Sequence, residues 1–513
     1  MNNSWKIKFV MLCLVYVVLN GTANAQIPRM EYSLGFSTFF VQEDLYGPGF
    51  DIYTDSIGNM YICGCTIDES FPATPNAYQK KIKGKADAFV AKFSSEGKLI
   101  FATLIGGSKR EHHVGLTVDN KGYIYLVGGT HSADFPTTPH AYDTTFNGEK
   151  DWGGDVYLVK LDPTGSKLIF STFIGGSAQE TATSVRVDKK GDIIIGGCTC
   201  SPNFPTTQGA FDRTFKGEQE AFLAKFSSDG SQLLFSTFLG GSASEMVTCL
   251  TLDDKSDIYV AGLTESPDFP TTDNALRKKH ETTEREWFDG VDQFLAKMDK
   301  NGKKLIYSTY YSGRTWGGIT SLTWTSPDRL LIASHTDSPS FPTTEKAYCT
   351  RPKGGKDGFI SIFNSSDMKL EYSTLFGGSQ YDNIRKAFFL NKDCIVIGGE
   401  TNSPDFPLTE NALDSNYPLT DTTYSSTFLG KRKFFVSIIN IKKSQLIYST
   451  FLGGGGRFCI YPDKMGNLGF FGEGSADFPV TDNAFRKEPT SFVVGRLVLK
   501  NLSVQLNQKV KHD

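Results

Sequence analysis

The sequence predicts an all-β fold: a seven-bladed β-propeller with four antiparallel strands per blade, its ring closed by the N-terminal strand. Three observations carry that expectation. A phrase made of an aromatic, Ser-Thr and an apolar pair, often followed by Gly-Gly, recurs seven times. A second phrase, Phe-Pro followed by Thr-rich sequence, keeps step with it. The chain enters on a different phase of the repeat from the one on which it leaves.

The first phrase reads FSTFF (36–40), FATLIGG (101–107), FSTFIGG (170–176), FSTFLGG (235–241), YSTYYSG (307–313), YSTLFGG (372–378) and YSTFLGG (448–454). The second is marked by Phe71, Phe135, Phe204, Phe269, Phe341, Phe406 and Phe478. The Thr residues of the first phrase fall 65 to 76 residues apart, and such regular recurrence signals a repeat architecture. Within one unit, TSVRVD (183–188) alternates, a Lys-Lys-Gly turn follows, and DIIIGG (192–197) returns. Asp188 suits a turn that caps itself, and Gly191 accepts positive φ. After an irregular crossing, AFLAKFS (221–227) and QLLFSTFLGG (232–241) form a second hairpin. A lone four-stranded sheet leaves both faces bare, and sheets packed around an axis cover them. A linear solenoid would need capping repeats, and none is visible.

The expected domains are a signal peptide at 1–25, the propeller at 26–507 and a short tail at 508–513. Lys6 and Lys8 precede an apolar run from Phe9 to Leu19, and Ala23-Asn24-Ala25 supplies a cleavage site, so the mature chain starts at Gln26. The apolar run is too short to span a bilayer. The expectation is export, to the periplasm, cell surface or medium, with no transmembrane segment. The entering phrase EYSLGFSTFF (31–40) can pair beside SFVVGRLVL (491–499), although NLSVQL (501–506) could supply that strand instead.

Charge is nearly balanced, 53 Lys+Arg against 56 Asp+Glu, which disfavours a nucleic-acid partner. The sequence holds no H-E-x-x-H, G-x-S-x-G or Walker-type phrase, and no metal or cofactor is expected. Of the 9 cysteines one lies in the leader, and the others are read as buried thiols rather than bridges.

The shared phrases YSTFLGG, VD-x-x-G, S-x-DFPTT and D-AFVAK resemble the seven-bladed β-propeller repeat (SBBP) family of bacterial exported proteins. SPDFPTT (266–272) and QFLAKMDKNGKKLIYSTYY (293–311) are close to that pattern. The first repeat departs from it with Val41-Gln42 in place of Gly-Gly, the fifth with Thr325 in place of Asp. The resemblance implies an exported or surface protein and no defined catalysis.

Residues present in every unit cannot mark one site. The third-strand Lys92, Lys160, Lys225 and Lys297 are read as ion pairs within a blade or snorkelling stems, and Asp134, Asp268, Asp405 and Asp477 as turn caps. Function is sought in what breaks the repeat, on the face that carries the inter-blade loops and the second-to-third-strand insertions. The candidate binding residues are His113, Trp152, Trp287, Trp316, Tyr381 and Arg457, aromatics and cations of the type that anchor interfaces. The favoured reading is a monomeric, non-enzymatic binder of a protein or carbohydrate. The alternatives are a lyase or hydrolase working over the central channel, and a structural surface or adhesion module.

Overall fold

The computed structural model describes residues 30–41, 49–148, 154–281, 291–313, 317–417, 432–476 and 478–501. The predicted signal-peptide cleavage and the tail therefore lie outside the described residues. The described chain folds into 27 strands and no helix. Five sheets have four strands each, hydrogen-bonded in chain order. The first holds β2 (Asp51–Thr54), β3 (Met60–Thr66), β4 (Asp87–Phe93) and β5 (Leu99–Ile105). The second holds β6 (Glu111–Val118), β7 (Ile124–Thr130), β8 (Asp155–Leu161) and β9 (Leu168–Ile174). The third holds β10 (Glu180–Val187), β11 (Ile193–Thr199), β12 (Glu220–Phe226) and β13 (Leu233–Phe238). The fourth holds β14 (Glu245–Leu252), β15 (Ile258–Thr264), β16 (Asp292–Met298) and β17 (Leu305–Ser312). The fifth holds β18 (Ser321–Thr325), β19 (Arg329–Thr336), β20 (Asp357–Asn364) and β21 (Lys369–Phe376).

The sixth sheet differs from the expected pattern. It has seven strands: β22 (Asp382–Phe389), β23 (Cys394–Thr401), β24 (Arg432–Asn440), β25 (Gln445–Pro462), β26 (Leu468–Gly474), β27 (Phe492–Asn501) and, beside β27, β1 (Met30–Phe39). Seven separate sheets were expected, and six are formed. The reason is β25, an 18-residue strand. Its first half pairs with β24 and its second half with β26, so two four-stranded units share one strand. The N-terminal strand takes the expected place, with Glu31 opposite Lys500 and Phe39 opposite Val493.

The sheets pack face to face as in a propeller. The first strand of each sheet lies against the neighbouring sheet, and β2 packs against β25 and β26. Hydrophobic clusters fill the spaces. One joins Tyr61 and Val90 of the first sheet to Leu116 and Leu126 of the second. One lies between the two halves of the seven-stranded sheet, around Val436, Phe458 and Phe470. Another joins Phe471 and Val494 of the sixth sheet to Ile62 and Phe89 of the first.

The repeated phrases now have physical causes. Each Phe-Pro phenylalanine is buried, and all but Phe478 meet an aromatic of their unit's third strand, as in Phe204 with Phe222 (ring centroids 4.6 Å) and Phe406 with Phe435 (4.5 Å). The Thr of the aromatic-Ser-Thr phrase clamps the crossing segment: the Thr172 hydroxyl donates to the Asp143 carbonyl at 3.0 Å, and that of Thr237 to Asp212 at 3.0 Å. The hairpin Asp does two jobs. Asp188 Oδ1 accepts the Lys190 and Asp192 amides at 2.8 and 3.0 Å, while Oδ2 pairs with Lys225 Nζ at 2.8 Å. Asp253 with Lys297 and Asp463 with Arg496 repeat the arrangement. Asp134, Asp268 and Asp405 act farther afield than the turn caps expected of them. Each binds the Ser after Gly-Gly in the connection ahead of it: Ser108, Ser242 and Ser379 at 2.7 to 2.8 Å. Asp477 lies outside the described residues.

The Gly-Gly pair is required by carboxylates. At four junctions an acid opening the third strand meets one opening the next inner strand: Asp87 with Glu111, Asp155 with Glu180, Glu220 with Glu245, Asp357 with Asp382. All eight are at most 1% exposed. A Cβ on Gly240 would fall 2.1 Å from Glu220 Oε2 and 2.4 Å from Glu245 Oε2, so only glycine fits there. Burial pushes Glu111, Asp155 and Glu220 up to about 7, and Asp382 to about 6.

The eight cysteines of the described chain carry free thiols. Cys200 and Cys349 are partly exposed, contrary to the expectation that all are buried.

Candidate functional site

The inner strands do not run straight past one another. Register shifts fall between His112 and Gly115, Ala182 and Ser184, Val247 and Cys249, Ile384 and Lys386, and Gly455 and Phe458. A bulge leaves a residue without a ladder partner and re-aims its side chain. Val114, Thr183, Thr248, Arg385 and Arg457 occupy these bulges, and all of them line one cavity of about 320 Å³. Thr320, just ahead of β18, lines it too, as do Phe50, Asp51, Lys386 and Cys459. Every lining residue belongs to the start of an inner strand or the segment entering it. The cavity therefore sits at the end of the central channel where the connections between sheets arrive.

At three of these positions the residue is a threonine with a scaffold role. The Thr183 hydroxyl donates to the Val247 carbonyl of the next sheet at 2.7 Å. Thr248 reaches Ile319 and Thr320 reaches Ile384, both at 2.6 Å. Arg385 breaks the series, and the last inner strand, bulged one step earlier before Phe458, holds Arg457 there. Each is matched by an acid on the adjoining strand, Glu400 on β23 and Glu473 on β26. Arg385 places Nε and Nη2 each 2.7 Å from Glu400 Oε1. Arg457 binds Glu473 Oε1 in the same way. Elsewhere the position of these acids holds Cys65, Gly129, Cys198, Leu263 or His335. Beside Arg385, Lys386 Nζ pairs with Asp51 Oδ1 at 3.0 Å.

Behind this wall the network is buried. Glu400 is fully enclosed and also accepts from Asn383 Nδ2 at 3.1 Å and Arg432 Nη1 at 3.2 Å. Asn383 Oδ1 lies 2.9 Å from His335 Nδ1. Burial pushes His335 down to about 3, so it is a neutral imidazole at physiological pH. The charge of Glu400 raises Arg385 further against the cost of burial.

Two of the six residues singled out from the sequence can be placed. Arg457 lines the cavity, with its guanidinium 5.3 Å from the Phe50 ring centroid. Tyr381 is not an exposed loop anchor: it is half-buried, with Arg432 over its ring at 4.4 Å and His335 at 5.6 Å. Tyr381 thus supports the wall from behind, because aromatic faces shelter a buried guanidinium. Trp152, Trp287 and Trp316 and the His113 side chain lie outside the described residues. In the chain, His113 and Trp316 directly precede the lining residues Val114 and Gly317. Sequence reading missed Arg385, Lys386, Glu400 and Glu473. The signal was present: aligning the seven units sets Arg385 against Thr183, Thr248 and Thr320.

Among the described residues, no three His, Cys, Asp or Glu side chains come together to hold a metal. No described helix is long and apolar enough to cross a membrane. The fold and the cavity define a β-propeller with a charged channel mouth.

No family model matches the chain. The regulatory protein FlaEY of Caulobacter vibrioides is 20% identical over 360 residues, 69% of this chain; the match spans only 36% of that relative's length. Among solved structures, the Pan2 WD40 domain of Neurospora crassa is similar at 10% identity and a TM-score of 0.43, covering 87% of this chain and 93% of that one. The quinohemoprotein alcohol dehydrogenase of Comamonas testosteroni is similar at 10% identity and 0.43, covering 93% and 78%. None of these bears on the chemistry of the cavity.

Proposed function

We propose that this protein is an exported, seven-bladed β-propeller that acts as a non-enzymatic binding module for a protein or glycan, engaging its partner at the channel mouth. Seven in-register repeats, the division of β25 between two units and the pairing of β1 with β27 support the blade count and a ring closed by the N-terminal strand. The repeat phrases that resemble the SBBP family support export, as does the leader ending at Ala25. N-terminal sequencing of secreted material should begin at Gln26; a product retaining Lys6 overturns the export reading.

One observation carries the functional reading. Arg385 occupies the position where threonine serves the scaffold in three other units, and Arg457 stands in the bulge of the last inner strand. Burying ion pairs costs desolvation that a threonine avoids, so their retention points to use rather than to stability. The test is a screen of the chain from Gln26 against glycans and surface proteins, repeated with Arg457→Ala. Binding that depends on Arg457 supports the module. Turnover of a polysaccharide would make it an enzyme, and self-association on light scattering would make it a structural surface protein.

A further inference from the structure

The cavity wall is polarised. Arg385 and Lys386 on β22 and Arg457 on β25 stand together on one side, with Asp51 as their only lining acid among the described residues. The opposite side is formed by Val114, Thr183, Met246, Thr248 and Thr320, none of them charged. The acids that hold the two arginines, Glu400 and Glu473, stand behind the wall and do not line the cavity. Each guanidinium is thus fixed by its Nε edge before any ligand arrives. Preorganised planar forks are the donors best matched to a carboxylate. The three threonine hydroxyls are already committed to carbonyls of neighbouring sheets, so that side offers mainly a neutral surface. A cavity of about 320 Å³ is at the small end of ligand pockets and accommodates about one ring-sized molecule.

We propose that the channel-mouth cavity binds a small organic carboxylate of single-sugar size, its carboxylate held by Arg385, Lys386 and Arg457 and its neutral body against the threonine side. This deepens the binding-module reading and rests on it. The carboxylate is a sugar acid, free or at the end of a glycan. Free monosaccharide and short oligosaccharide probes separate those two sources.

The experiment is calorimetric titration of the chain from Gln26 with glucuronate, glucose, a glucuronate-terminated disaccharide and inorganic phosphate. Glucuronate should bind at least about tenfold more tightly than glucose, and more weakly as salt rises. Lys386→Gln should weaken glucuronate about tenfold or more. The double variant Arg457→Gln, Glu473→Gln should do the same. It removes both halves of an ion pair, and melting curves verify its fold. If that variant fails to fold, Lys386→Gln alone decides, because its ammonium is part-exposed. Equal affinity for glucose, or phosphate bound as tightly as glucuronate, overturns the carboxylate assignment. So does glucuronate affinity unchanged in the variants. A partner captured at this face while glucuronate fails to bind overturns this inference and leaves the module standing; capture of nothing removes both.

Discussion

Glu400 concentrates the energetics of the wall on one oxygen, which faces Asn383, Arg385 and Arg432 within 3.2 Å. Arg432 is 2% exposed, so removing Glu400 takes a carboxylate away from a buried guanidinium. Glu400→Ala should lose about 3–5 kcal/mol, the usual cost of breaking a buried pair from one side. Urea denaturation measures it, and a loss below about 1 kcal/mol would mean the charges are already well solvated. Thr183, Thr248 and Thr320 show how much of this could be read beforehand. Their alignment marks the position, but only the bulge turns it into the cavity, and no local pattern announced that shift.

The junctions between strands carry a pH response. Glu111, Asp155 and Glu220 stand near 7 in the folded chain because burial disfavours their charge. An unfolded chain releases those protons nearer pH 4. The folded state therefore holds more protons between these values, and stability falls as pH rises from about 5 to about 7, then levels. Melting temperatures across that range should decline, and Glu220→Gln should flatten part of the slope. A rise toward pH 7 would show that these carboxylates are ionised in the fold. The long strand β25 makes a second prediction. A Cβ on Gly455 would fall 1.7 Å from the Glu473 carbonyl oxygen, and its φ of +153° disfavours side chains. Gly455→Ala should cost more than about 2 kcal/mol. Gly355→Ala should be close to neutral, since nothing lies within 4 Å. Similar melting temperatures for the two would remove the backbone argument.

At the scale of the molecule, the earliest strand is paired with the latest. Deleting residues 26–41 would strip β1 from β27 and expose a ladder edge. It would also remove Phe36, Phe39 and Phe40 from the core. The truncated chain should melt lower and associate, as followed by calorimetry and light scattering. A monomer of unchanged melting temperature would show that the last sheet is complete without it.

The amino-acid sequence determined the repeat, the hairpins and the β class, because turn chemistry and alternation act over a few residues. The phase offset between the two ends also pointed to 31–40 as a partner for 491–499, with 501–506 as the alternative. It could not separate residues that serve the scaffold from those that serve the cavity. Asp188 and Lys225 pair inside one unit, as Asp253 and Lys297 do in the next, yet Asp51 and Lys386 meet from units far apart in the chain. Tyr381, legible as a loop aromatic, is packed beneath Arg432. Arg385, legible as one strand residue among many, lines the channel mouth. The physical reason is that the cavity belongs to no single unit. It exists only where the inner strands of all the sheets converge, and their bulges decide which side chains it receives.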